Sequence, residues 1–389
     1  MQSDSIIFTI FLIFTGAAVF ATIALYARQS LLVVYILLGI VMGPSGFHLV
    51  TDAAVIKDIA HVGIIFLLFL LGLNLPPVKL LRLIRETLLV AGITVFLFAL
   101  LGFGIAWIFR YSLSDSLIIA VAMMFSSTII GLKLLPTTVL HHRRTGDIII
   151  SILLLQDIVA ILVLLLLQAG ANEQSIIFGA LKLGFSLFGL SVFVYVFTRY
   201  VLLKLMARFD KIREYLFLMT VGWCLGIAVT AHLLGLSYAI GAFIAGVALA
   251  TSPIAMYLAD ELKSLRDFFL IMFFFTVGAA FDLRMATEVF IPALVLAILI
   301  LSVKPLVFSF LLRRSHEDPK VATEIGVRLG QSSEFSLLIA VLALELGVVS
   351  HNAAYLIQVS TIITFIVSSY LIVLKYPTPM AVSDKLRRD

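Results

Sequence analysis

Apolar residues in this chain come in long, nearly unbroken runs, separated by short breaks that carry charge, glycine or proline. Dividing the runs with a window of about 19 residues predicts thirteen helices. They fall at residues 6–26, 30–49, 55–74, 86–109, 115–134, 146–168, 175–204, 213–232, 236–250, 264–281, 288–312, 320–346 and 352–374. A run of about 20 apolar residues is the length that crosses a bilayer's hydrocarbon. The pattern therefore predicts an all-α polytopic membrane protein. The run at 175–204 is long enough to tilt or to extend beyond the membrane.

Composition agrees and removes an alternative. The 389 residues are 62% hydrophobic and 13% charged, with a mean hydropathy of +1.18. No compact soluble fold could hide that much apolar side chain from water. The first run follows Asp4 and lacks the basic start of a secretory signal, so it is expected to be a retained helix. Cys224, alone of its kind and inside an apolar run, is expected to be a packing residue.

The net charge of +5 suggests nucleic acid until the basic residues are placed. With the N-terminus outside, Arg28, the Lys79–Arg85 group, Lys133 with Arg143 and Arg144, the Arg199–Arg213 group, Lys263, Arg266, the Arg313–Lys320 group and the basic tail all fall on the cytoplasmic side. Lys57, Arg110 and Arg284 fall outside. Short cytoplasmic loops collect Lys and Arg, so the excess charge reads as topology, with the C-terminus inside and no nucleic-acid partner. An odd helix count starts helices one to six and eight to thirteen on opposite faces, which predicts two inverted repeats.

Polar interruptions mark the fifth member of each half. The fifth helix carries Phe125-Ser126-Ser127-Thr128 and the twelfth Gly330-Gln331-Ser332-Ser333-Glu334-Phe335. Unwound backbone at membrane depth survives only where it is buried in protein or lines a cavity. Paired breaks in corresponding positions point to a site at the midplane. The plainer alternative is serine and threonine back-bonding within intact helices.

Four charges lie at membrane depth. Asp157 stands at the centre of the sixth span, where a carboxylate costs roughly 2.5–3.5 kcal/mol to insert. Such a group can hold a proton or a metal cation, but not both at once, and that competition is the physical basis of a cation/proton exchanger. Glu334 lies in the second break, Lys304 precedes Pro305 in the eleventh span, and Arg328 precedes the second break. Charges of both signs suggest compensation across a polar core, and Lys304 and Arg328 could equally bond freed carbonyls. Lys182 and Glu345 are near enough to helix ends to snorkel. His61, His232, His351 and the pair His141-His142 make no metal-ligand spacing.

Taken together, the chain resembles the membrane domain of Kef-type potassium/proton antiporters, in the second family of monovalent cation:proton antiporters. The resemblance rests on Gly39-Ile-Val-Met-Gly43-Pro44, Phe66-Leu-Leu-Phe-Leu-Leu-Gly72-Leu, Ser126-Ser127-Thr128, Gln156-Asp157, Phe273-Phe-Phe-Thr-Val-Gly278, Lys304 and Gln331-Ser-Ser-Glu334-Phe335, in that order along essentially the whole sequence. It implies a sodium/proton antiporter-like fold with crossed discontinuous helices, in a homodimer. Residues 1–84 and 210–284 would form a dimerising scaffold, 85–170 and 285–375 a mobile transport core, 171–209 a linker helix and 376–389 a cytoplasmic tail. Asp157 carries over as the ion- and proton-binding carboxylate with Gln156 beside it. Ser126, Ser127, Thr128, Ser332 and Glu334 complete the expected ion site, with Lys304 and Arg328 for charge compensation.

Two departures from the family shape the expectation. Gln156 stands where sodium/proton relatives often have a second acid paired with the lysine of the eleventh helix, which suggests electroneutral one-for-one exchange. Full Kef-type proteins also continue into a cytoplasmic nucleotide-binding domain, and the resemblance leaves three alternatives here: that domain was removed, a separate cytoplasmic regulatory subunit replaces it, or there is no such regulation. The expected cargo is K+, with Na+ as the alternative, against H+, in a bacterial cytoplasmic membrane. No cofactor is expected, and no metal beyond the transported ion. A channel would need a carbonyl filter that is not present. A sodium-coupled organic anion symporter gives no reason for Gln156-Asp157, and an intramembrane protease would have only Asp157 and Glu334 to work with.

Overall fold

The computed structural model describes residues 2–27, 29–50, 62–66, 68–70, 72–73, 77–135, 144–172, 176–252 and 254–378. Arg28, Lys57, His61, His141, His142, Arg143, the first part of the expected third helix and the tail from residue 379 lie outside them, as does the side chain of Lys182.

The described residues are helical almost throughout. In chain order the helices are α1 (Gln2–Ala27), α2 (Leu31–Met42), α3 (Pro77–Ile108), α4 (Leu113–Met123), α5 (Thr128–Lys133) and α6 (Arg144–Asn172). There follow α7 (Ile176–Phe197), α8 (Leu203–Arg208), α9 (Arg213–Leu233), α10 (Tyr238–Leu249), α11 (Ile254–Glu261) and α12 (Lys263–Ala279). The last are α13 (Leu283–Glu288), α14 (Phe290–Arg314), α15 (Pro319–Arg328), α16 (Glu334–Glu345) and α17 (His351–Lys375). Residues 62–66, 68–70 and 72–73, before α3, are helical too. Eight of the described helices or helix pairs are long and apolar enough to cross a membrane, and α2 and α10 are shorter apolar helices. Large apolar side chains such as Leu89, Phe96, Phe185 and Leu306 face outward, as a protein solvated by lipid requires. The short helices α11 and α13 have no counterpart in the sequence pattern, because neither has a long apolar run.

Two compact units divide the chain. The first comprises Met1–Gly16, Ile36–Leu81 and Leu164–Ala280. Its helices cross where glycine removes the side chain. A Cβ on Gly39 would overlap the Phe275 carbonyl oxygen, and one on Gly278 the Ile36 carbonyl oxygen, so α2 and α12 touch backbone to backbone. Likewise a Cβ on Gly72 would overlap the Phe243 carbonyl and one on Gly246 the Phe69 carbonyl. These crossings are exchanged by the inverted repeat: the second helix of one half meets the third of the other, and the reverse. Small residues that let backbones approach are the usual device of membrane helix packing. Elsewhere in this unit Trp223 stacks on Phe197 at 5.4 Å, beside the buried Cys224. A π-helical turn, Thr198–Leu202, joins α7 to α8.

The second unit comprises Ala17–Tyr35, Arg82–Val163 and Phe281–Asp389. Here both expected breaks occur. Helix α4 ends at Met123 and α5 starts at Thr128; α15 ends at Arg328 and α16 starts at Glu334. Local chemistry sets these limits. Asp318 caps α15 ahead of Pro319 at the first helical position. Ser333 caps α16 by accepting from the Phe335 N–H, and Ser336 returns a bond to the Ser333 N–H. Gly347, at φ +67°, ends α16 in the left-handed conformation that suits glycine. Helix α14 bears on α15 at Pro305, whose carbonyl a Cβ on Gly326 would meet at 2.5 Å.

Candidate functional site

The two breaks lie against each other and are bonded together. The Ser126 hydroxyl donates to the Leu329 carbonyl at 2.8 Å, and the Gln331 side-chain nitrogen faces the Ser127 carbonyl at 3.5 Å. The Ser336 hydroxyl donates to the Ala122 carbonyl. Freed backbone groups of one break thus find partners in the other, as burial demands.

Asp157 reaches this crossing from the middle of α6 and is only 2% exposed. Its carboxylate oxygens each lie 3.3 Å from the Thr128 hydroxyl, the one hydrogen-bond partner it has among the described residues. It forms no ion pair among them. One hydroxyl proton cannot satisfy the four lone-pair positions of a carboxylate, so Asp157 retains the capacity to take a proton or a cation. Gln156, fully buried, accepts the Ser126 N–H at 2.9 Å through its side-chain oxygen, while its Nε2 has no partner among the described residues.

Glu334 occupies the other side of the crossing, at the first position of α16. It accepts the Ile129 N–H at 3.3 Å, and the Ser333 hydroxyl lies 3.5 Å from its other oxygen. Its carboxylate therefore faces the N-terminal ends of both α5 and α16, where helix dipoles favour negative charge. Asp157 and Glu334 are bonded by adjacent residues at the start of α5, Thr128 and Ile129.

Lys304 sits at the opposite ends. Only 1% exposed, its ammonium donates to the Phe125 carbonyl at 2.7 Å and to the Gln331 carbonyl at 3.4 Å, and lies 4.9 Å from the centre of the Phe98 ring. These carbonyls follow the C-terminal ends of α4 and α15, where positive charge is favoured. With glutamine at 156, the lysine is held by backbone carbonyls.

Two expected residues stand apart from Asp157. Arg328, fully buried, pairs with Glu324 one turn back at 2.9 Å, donates to the Leu134 carbonyl at 2.9 Å and to the Pro377 carbonyl at 2.8 Å, and lies over the Tyr376 ring. Its charge meets Glu324, not Asp157 or Glu334. Burial and the Glu324 carboxylate push the Tyr376 hydroxyl above its usual range, beyond the end of α17. Ser332 lies between α4 and α17, its hydroxyl facing the Met123 sulfur at 3.9 Å and its N–H donating to the Thr364 hydroxyl at 3.1 Å.

Residues that the sequence pattern does not single out complete the arrangement. Gln331 stands in the sequence only as part of a motif, yet it touches both breaks. Thr364 and Ser368 of α17 hold the second break from behind, Ser368 donating to the Gln331 side chain at 3.0 Å. The available signal is three hydroxyl residues, Thr361, Thr364 and Ser368, recurring on one helical face of an apolar run. Among the described residues no group of three His, Cys, Asp or Glu side chains could hold a resident metal ion.

The sequence pattern of the family described as sodium/hydrogen exchanger, transmembrane, matches residues 10–374. The chain belongs to the sodium/hydrogen exchanger family. This exchanger is therefore an integral membrane transporter of the cation/proton antiporter class. It is 28% identical over 348 residues to the iron transporter MagA of Paramagnetospirillum magneticum, covering 88% of this chain and 79% of that one. It is 26% identical over 353 residues to K(+) efflux antiporter 4 of Arabidopsis thaliana, covering 89% of this chain but 60% of that protein. To K(+) efflux antiporter 5 of the same plant it is 26% identical over 397 residues, covering 99% and 68%. The exchanger's fold is that of the sodium proton antiporter MjNhaP1 from Methanocaldococcus jannaschii, with a TM-score of 0.71, 19% identity and coverage of 95% and 96%.

Proposed function

We propose that this exchanger moves K+ against H+, one for one, with Asp157 holding either ion in turn. The observation that carries the reading is Asp157 itself: a carboxylate 2% exposed at the crossing of two broken helices, held by one threonine hydroxyl and by no described cation. A buried carboxylate with spare acceptor capacity is an expensive feature that packing does not recover. Ion binding gives it a use. Ser126, Ser127, Thr128, Gln156 and Glu334 shape the site around it, and Lys304 offsets the Glu334 charge at the other ends of the half-helices.

Potassium is favoured over sodium by the K(+) efflux relatives and by Gln156 standing beside Asp157. Electroneutrality follows from a single exchangeable carboxylate. The reading includes a core on residues 85–170 and 285–375 that carries the ion by moving against a scaffold, which would dimerise with its copy; the unit of Arg82–Val163 and Phe281–Asp389 supports most of those bounds, although it also takes Ala17–Tyr35. Sodium/proton exchange is the second reading, favoured by the fold shared with a sodium proton antiporter.

Purified protein in vesicles, with a pH-sensitive dye inside, tests both readings. Adding K+ should move protons in the wild type and not in Asp157→Asn, with Na+ and Li+ added separately for comparison. Full exchange in that variant would overturn the role of Asp157, and movement with Na+ alone would replace potassium by sodium.

A further inference from the structure

The site has a third supporting wall that its acids and breaks do not account for. Helix α17 carries Thr361, Thr364 and Ser368, all at most 1% exposed, at spacings that place them on one face. Two of the three hydroxyls bond the second break. Thr364 donates to the Thr361 carbonyl at 2.8 Å within its own helix, which leaves its oxygen lone pairs to accept the Ser332 N–H at 3.1 Å. That N–H belongs to unwound backbone.

The Ser368 contact fixes an orientation. The Gln331 amide stands between the Ser368 hydroxyl and the Ser127 carbonyl. A carbonyl can only accept, so the amide nitrogen faces Ser127 and the amide oxygen faces Ser368, which must donate. The same residue's backbone carbonyl accepts from Lys304. One glutamine thus links the first break, the second break, the lysine of α14 and the hydroxyl of α17, and the residue after Ser127 is Thr128, which bonds Asp157.

We propose that Ser368 and Thr364 are positioning residues for the ion site. They set the spacing of the two breaks through Gln331 and Ser332, and so set how well Thr128 and Asp157 meet a cation. Neither touches Asp157. The inference rests on the reading of Asp157 as the ion-binding group, and it adds α17 to the elements that determine cation affinity.

The loss of one hydrogen bond shifts an equilibrium by about three- to tenfold. In vesicles, Ser368→Ala should raise the half-saturating K+ concentration by about that factor, with the maximal rate within about twofold of wild type. Ser368→Thr, which keeps the donor, should restore the wild-type value, and Thr364→Val should behave like Ser368→Ala with rescue by Thr364→Ser. If Ser368→Ala cannot be purified, Ser368→Cys supplies a weaker donor of similar size and should give an intermediate half-saturation. A change in maximal rate alone, equal half-saturation in Ser368→Cys and wild type, or failure of the conservative variants to rescue would each overturn the proposal. Asp157→Asn run beside them separates the two ideas. If it is inactive while the α17 variants keep wild-type half-saturation, only the positioning role falls; if it exchanges normally, the reading beneath falls with it.

Discussion

The ammonium of Lys304 lies 2.7 Å from the carbonyl oxygen of Phe125, at the end of the half-helix that stops short of the site. Replacing it removes a charge-assisted bond and leaves two buried carbonyls unpaired. Lys304→Met should lower stability by about 2–4 kcal/mol, seen as a lower unfolding temperature in detergent. Lys304→Arg should not rescue it, because a planar fork does not fit a site built for a compact ammonium over the Phe98 ring.

Gln156 accepts the Ser126 N–H and keeps the first break in register. Gln156→Asp shortens the side chain, gives up that bond and adds a negative charge near Lys304. The proposed one-for-one exchange makes the wild type insensitive to membrane potential, and exchange in this variant should become sensitive to it. Rates measured at imposed potentials of either sign check this directly; a potential-independent variant would show that the second acid is not enough to move charge.

Competition for one carboxylate has a definite sign. At fixed, subsaturating K+, lowering the pH on the side from which K+ binds should slow exchange, and added K+ should restore it, since in the proposed mechanism proton and cation displace each other at Asp157. Dye-reported rates across a grid of pH and K+ test this. Acid inhibition that saturating K+ does not relieve would mean that the proton acts elsewhere.

Gly39 and Gly246 leave no room for a side chain. Gly39→Val and Gly246→Val each force backbones apart and should destabilise by about 1–3 kcal/mol, with Gly92→Val, whose Cβ would meet nothing within 4 Å, as the tolerant comparison. Thermal unfolding in detergent separates them.

Arg328 should be intolerant for a different reason. Arg328→Gln leaves Glu324 without its partner and the Leu134 and Pro377 carbonyls without a donor, a loss of about 2–4 kcal/mol. Arg328→Lys should recover only part of it, because an ammonium cannot reach three groups set around a planar fork. The unfolding temperatures of the two variants give the measurement.

Much of this architecture is legible in the sequence, because a bilayer imposes a coarse and nearly obligatory pattern. Apolar runs mark the places of the long helices. Polar interruptions mark both breaks, since a serine-rich stretch is costly at membrane depth unless its polar groups meet protein partners. Asp157 and Glu334 are visible on the same grounds. Which backbone carbonyls the buried cations meet is not. Arg328 is held by Leu134 and Pro377, which lie 194 and 49 residues away and carry no side-chain signal of that role. Lys304 reads in the sequence as a charge that neutralises a carboxylate or bonds a freed carbonyl, but nothing in the letters says that the carbonyl is that of Phe125, a group every residue has. The hydroxyl face of α17 is present in the letters, but its purpose depends on Gln331 arriving from another part of the chain.

The fixed charges around the crossing also bear on leakage. In the proposed exchange, Lys304 offsets Glu334 and Arg328 offsets Glu324, so the site itself carries one negative charge on Asp157 when it is empty and none when a proton or a monovalent cation is bound. An unloaded core would have to take that uncompensated charge through hydrocarbon, which is costly, whereas either loaded form would cross neutral. In the proposed exchange, the arrangement that would make transport electrically silent would also suppress the idle stroke, and would hold the two ion gradients together without a separate gate.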